Sequence, residues 1–124
     1  MVLKNYLTIT VVLIGLVLFF FYQYKVDLKE VYNKVVVSLT NTGFSPQNVS
    51  VKKGEIVSFV NLLERSFWPA SDLHPTHELY PEFDSRQPIA KNNEWSFQFK
   101  KAGIWKFHDH LAPYFTGTIT VLVE

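Results

Sequence analysis

The 124-residue chain is 48% hydrophobic and 16% aromatic, with 11 Phe; that is apolar material for one packed domain plus an accessory segment, and it excludes a disordered chain. Residues 34–124 carry nine Lys and Arg against nine Asp and Glu, so no basic surface of the kind that binds nucleic acid is expected. There is no cysteine, which excludes disulfides, thiolate metal ligands, lipid attachment through cysteine and thiol catalysis.

In chain order, the first element is a helix. Residues 6–24, YLTITVVLIGLVLFFFYQY, carry no charge between Lys4 and Lys25. At 1.5 Å per residue, about 19 residues cross a hydrocarbon layer of roughly 30 Å. The run ends in Phe19, Phe20, Phe21, Tyr22, Gln23 and Tyr24 rather than in the small residues of a cleavage site. Residues 1–24 are therefore expected to be an uncleaved membrane anchor, with Tyr22 and Tyr24 suited to the membrane–water boundary. Residues 25–33 form a short polar stalk, and 34–124 form the outer domain.

From Lys34 onward the apolar residues recur with period two between Gly, Pro and Asn turns, which predicts strands. KVVVSLT opens the series. NVSVKKGEIVSFVN gives two strands about a turn at Gly54, and EWSFQFK alternates with Trp95, Phe97 and Phe99 on its apolar face. GIWKFHDH and TGTITVLVE close the domain, with Trp105 and Phe107 assigned to the core. The exception is the segment 62–93, which holds four prolines and no steady period. Insertions of that length inside a small domain are often functional.

All four histidines fall into two close pairs: His74 and His77 in the long loop, His108 and His110 at the end of a strand. Alternate residues of a strand share a face about 6.6 Å apart, so His108 and His110 can share one ion at metal–nitrogen distances of about 2.0 Å. If the loop folds over the strand end, His74 and His77 join them, and all four become candidate metal ligands. Asp72, Glu78 and Asp109 are candidates for an oxygen ligand or for orienting an imidazole through its second nitrogen. Trp68, Tyr80, Tyr114 and Phe115 are candidates for walls around the site.

These residues resemble the cupredoxins over about ninety positions. GFSPQNVSVKKGEIVSFVN is similar to the opening of that fold, ending at Asn61, and AGIWKFHDHLAPYFTGTITV to the closing strands around its copper loop. The resemblance implies an all-β, Greek-key sandwich with a metal, usually copper, at one end. It also implies a departure. The copper-binding cysteine of blue cupredoxins falls at Asp109, no axial Met follows, and the histidine expected after Asn61 is missing, with Phe67 and Trp68 near that point. Without sulfur the site cannot be blue. His108 instead resembles the histidines beside that cysteine in multicopper oxidases and copper nitrite reductases, which turn away from the blue centre to hold a second copper.

Imidazole with carboxylate or water suits Cu(II) first and Zn(II) second. The leading expectation is an extracytoplasmic, membrane-anchored protein holding a non-blue copper for electron transfer or copper handling. Its partners would be a redox or copper-transfer protein, or a second copy of the chain. The competing expectations are a copper-dependent oxidoreductase with an open coordination position, and a metal-free sandwich serving as an interaction module.

Overall fold

A computed structural model describes residues 2–32 and 34–123. Helix α1 spans Val2–Tyr32. Its window Thr8–Lys25 is long and apolar enough to cross a membrane, and none of it is buried. The residues read as a stalk, 25–32, continue the helix. The sequence there, KVDLKEVY, has neither Gly nor Pro and is rich in residues that tolerate helical backbone, so nothing stops the helix where the apolar run ends; Asn33 lies outside the described residues. Residues 35–124 form a separate compact unit.

That unit is a two-sheet sandwich of eight strands: β1 Val35–Thr40, β2 Gly43–Ser45, β3 Asn48–Lys52, β4 Ile56–Asn61, β5 Pro69–Ser71, β6 Glu94–Gln98, β7 Gly103–Asp109 and β8 Ala112–Leu122. One sheet has the order β2-β1-β4-β6 and the other β3-β8-β7-β5. β1 runs parallel to β4, and β3 parallel to β8, while the remaining pairs are antiparallel. Each period-two stretch read from the sequence lies on a strand, and β8 begins four residues before the TGTITV run.

The inner faces meet in a core of Val37, Leu39, Val57, Phe59, Phe99, Phe107, Ile119 and Val121, each worth roughly 1.5–3 kcal/mol of burial when Val-sized or larger. Trp95, Phe97 and Trp105 pack against it half-buried. Phe107 sits at its centre, with ring centroids 4.7 Å from Phe44, 5.3 Å from Phe59 and 5.6 Å from Phe83. This fixes β7, and with it the residues that follow.

The segment 62–93 is not an irregular insertion. It supplies β5, which pairs with the end of β7 as Pro69 with Asp109, Ala70 with His108 and Ser71 with Phe107. Phe67 and Ile89 exchange backbone hydrogen bonds, and Phe67, Tyr80, Phe83 and Ile89 are buried in the core. Buried Asn61 fastens the base of the segment: its amide donates to the carbonyls of Arg65 at 2.8 Å and Ile89 at 2.9 Å, and its side-chain oxygen accepts from Leu63 N–H at 2.9 Å. Four dispersed aromatic and aliphatic anchors replace the repeating pattern that would have revealed the segment as structured.

Candidate metal centre

Strand alternation sets up the site. Phe107 points inward, so His108 lies on the outer face of its sheet with Ile104 and Lys106. Those two are exposed, yet His108 is only 1% exposed, because the segment after β5 lies over it. Asp72 N–H donates to the Lys106 carbonyl at 3.0 Å, and Asp72 Oδ1 lies 2.8 Å from His108 Nδ1. A bulge between His108 and Asp109 then re-aims the strand end, and His110 N–H donates to the Trp68 carbonyl at 2.7 Å.

The proline-rich segment thus comes down on the strand end. The His74 ring centroid is 5.2 Å from His108 and 4.8 Å from His110, and His77 is 5.3 Å from His108 and 4.8 Å from His110. The four rings share one place but differ in what their nitrogens do. His74, His108 and His110 each offer a nitrogen within 4.8 Å of the others. His77 Nε2 lies 2.9 Å from His110 Nδ1, and His77 Nδ1 lies 2.8 Å from Asp84 Oδ2. His74 is exposed, His110 half-buried, and His77 and His108 buried.

The candidate carboxylates separate in the same way. Asp72 orients an imidazole. Asp109 is fully buried on the other side of the strand, where its oxygens accept from Arg65 Nη1 at 2.6 Å, Trp68 N–H at 2.8 Å and Leu111 N–H at 3.1 Å; none of these bonds reaches a histidine. Glu78 is exposed and outside the three-histidine group. Of the candidate walls, only the Trp68 ring packs on a histidine, 4.8 Å from His110. Tyr80 belongs to the core, and Tyr114 lies exposed against Phe115, itself under the Arg65 guanidinium.

Sequence reading missed Asp84. Its Oδ1 accepts from the Trp68 indole N–H at 2.6 Å and from Arg86 N–H at 2.8 Å. The bond to Arg86 is the local turn that an Asp-Ser-Arg triplet suggests; nothing local signals the bonds to Trp68 and His77.

Electrostatics favour neutral rings where a cation would sit. Burial holds the His108 imidazole below its ordinary value of 6.5 against the raising effect of Asp72. Burial, followed by His77, His74 and His108, does the same to His110. Among the described residues, His108 Nε2 is one of two buried side-chain polar atoms with no hydrogen-bond partner, the other being Arg65 Nη2. A buried nitrogen left unpaired costs about 1–3 kcal/mol. Its place among imidazoles, with Nδ1 already occupied by Asp72, leaves it available to an ion. The donor set fits a borderline divalent ion of the copper or zinc kind.

A family model described as a cupredoxin-like domain matches residues 11–121. The chain belongs to the cupredoxin-like family. Solved cupredoxins with the same fold include a reduced Cu(I) form, at pH 4, of a single-site mutant of amicyanin, at 19% identity and a TM-score of 0.63 over 72% of this chain and 82% of that one. Another is a purple cupredoxin from Nitrosopumilus maritimus, at 18% identity and a TM-score of 0.62 over 72% of this chain and all of that one. No curated protein sequence matches. As a cupredoxin with no cysteine, this chain has its histidine cluster on the outer face of β7, while Asp109 fills the interior position where the resemblance places the sulfur ligand.

Proposed function

We propose that this cupredoxin is a membrane-anchored, extracytoplasmic copper protein whose single non-blue ion is held by His74, His108 and His110. The observation that carries the reading is the buried, unpartnered Nε2 of His108 standing among the imidazoles. Copper there would supply one-electron redox chemistry, and hard nitrogen donors favour its divalent state. The chain's own part is preorganisation. Asp72 fixes the His108 ring and Trp68 packs on the His110 ring, so two of the three ligands are oriented before the ion arrives and the cluster need only tighten around it.

His74 is the exposed member, so it is the edge through which an electron or the ion itself passes to a partner protein. The family, and a neighbour such as amicyanin with its reduced copper, support electron transfer as the first of these. The α1 window Thr8–Lys25 supports anchoring, with the sandwich outside the membrane. A second reading has its own observation: three protein nitrogens rather than four leave a coordination position free, as in catalytic sites. An oxidoreductase acting on a small molecule would use it.

Metal analysis of the full chain purified from membranes without added ions tests the proposal. We expect one copper per chain, lost in a His108→Ala variant that keeps its fold. Zinc at that stoichiometry would reject redox function, and no stoichiometric ion would leave the sandwich as an interaction module.

A further inference from the structure

The unequal standing of the four histidines assigns roles that ring proximity alone does not. Asp84 carries its charge readily. Burial works to raise its carboxyl, but hydrogen bonds from the Trp68 indole, the Arg86 N–H and His77 outweigh this and hold it below the usual carboxylate range. An ionised carboxylate only accepts hydrogen bonds, so at 2.8 Å from Asp84 Oδ2 the His77 Nδ1 carries a hydrogen. In a neutral imidazole the other nitrogen is then an acceptor. With both rings neutral, the 2.9 Å contact between His77 Nε2 and His110 Nδ1 takes its hydrogen from His110, and His110 Nε2 is left with a free lone pair.

His77 consequently has no nitrogen to spare. Its Nδ1 is engaged by Asp84 and its Nε2 by His110. On β7, His108 reaches the same state in one step, with Nδ1 donating to Asp72 Oδ1 at 2.8 Å and Nε2 left free. Trp68 fastens the longer chain at both ends. Its indole holds Asp84 at 2.6 Å, its carbonyl accepts from His110 N–H at 2.7 Å, and its ring packs on the His110 ring.

We infer that His77 is a positioning residue rather than a metal ligand: the middle link of an Asp84–His77–His110 chain that sets the tautomer of His110 and presents its Nε2 to the ion, with Asp84 and Trp68 as supports. The inference rests on the copper reading only for what it says of the ion, because the contacts that engage both His77 nitrogens are made without it.

The experiment has two arms. In the first, long-range proton–nitrogen spectra are recorded on the ¹⁵N-labelled, metal-free full chain in detergent micelles. The expected result is that His77 and His110 both carry their hydrogen on Nδ1; a hydrogen on Nε2 of either ring overturns the inference. In the second, pulsed electron paramagnetic resonance counts imidazoles on bound Cu(II). Wild type and His77→Gln should both show three, and His74→Ala and His110→Ala two. Asp84→Asn should weaken copper binding about tenfold to a hundredfold with the count still three, and His77→Gln should recover affinity lost in His77→Ala. A wild-type count of four that falls to three in His77→Gln makes His77 a ligand and rejects the inference. A wild type that binds no copper refutes the copper reading alone, and the nitrogen spectra still decide the chain of tautomers.

Discussion

Asp109 and His108 are adjacent residues with opposite fates, and the site follows from that. Asp109 turns inward to Arg65 and the backbone of Trp68 and Leu111, while His108 turns outward under the Asp72 segment. The spacing of His108 and His110 was legible in the sequence because period two is a local property. The partners that orient them were not, since Asp72, His77 and Asp84 reach them only through tertiary folding.

The residue scale also sets a pH dependence. His108 and His110 both sit below 6.5 when folded, facing His74 and His77 as well as the carboxylates of Asp72 and Asp84. As pH falls below that value the unfolded chain binds protons that the folded protein resists, so stability falls with pH. Thermal unfolding of the metal-free protein should give a melting temperature that is level above about pH 7.5 and drops through the range below 6.5. Bound copper, which excludes the same protons, should flatten the drop. A metal-free profile that stays level from about pH 7.5 to about 5.5 would contradict neutral, buried rings.

At the scale of elements, the long segment is the instructive case. Its four prolines and lack of period concealed β5, because three residues pairing with the end of β7 carry no repeat long enough to recognise. β2, also three residues, was hidden for the same reason. The apolar run marked the stretch of α1 that is long and apolar enough to cross a membrane but not where the helix ends, since the polar residues after Tyr24 are equally helical.

Two variants test how these elements hold the site. Asn61→Ala removes the three hydrogen bonds of a fully buried side chain and should cost about 2–3 kcal/mol in chemical denaturation. It should also weaken copper binding, because the segment carrying His74, His77 and Asp84 loses its fastening; unchanged stability would show the segment held by its apolar anchors alone. Gly117 lies opposite Phe107 in the β7–β8 ladder, and a Cβ there would meet the Phe107 ring at 2.5 Å and the Gln47 carbonyl at 2.8 Å. Gly117→Ala should therefore destabilise the sandwich by about 1–3 kcal/mol or more. Because the same ring anchors His108, copper affinity should fall with it, and a variant of wild-type stability would show the contact is easily relaxed.

For the molecule as a whole, the sandwich was the most legible feature. Alternating strands, the Gly turns and the closing sequence around residues 103–121 agree with one fold at every level, and the family match covers nearly the whole chain. What the fold does not dictate is the chemistry. With no cysteine and an inward Asp109, the cluster stands on the outer face of the sheet, where the segment after β5 brings His74 and His77 against His108. Under the proposed function α1 would tether the sandwich to a membrane, and exposed His74 gives the cluster one open edge.

The optical and paramagnetic spectra of the full chain with one equivalent of Cu(II) test the central claim most directly. Three imidazoles without sulfur predict a pale protein with a nitrogen-rich, tetragonal signal and no intense absorption near ~600 nm, the signal being lost in His108→Ala. An intense band there, or a spectrum indistinguishable from copper free in the buffer, would contradict the account.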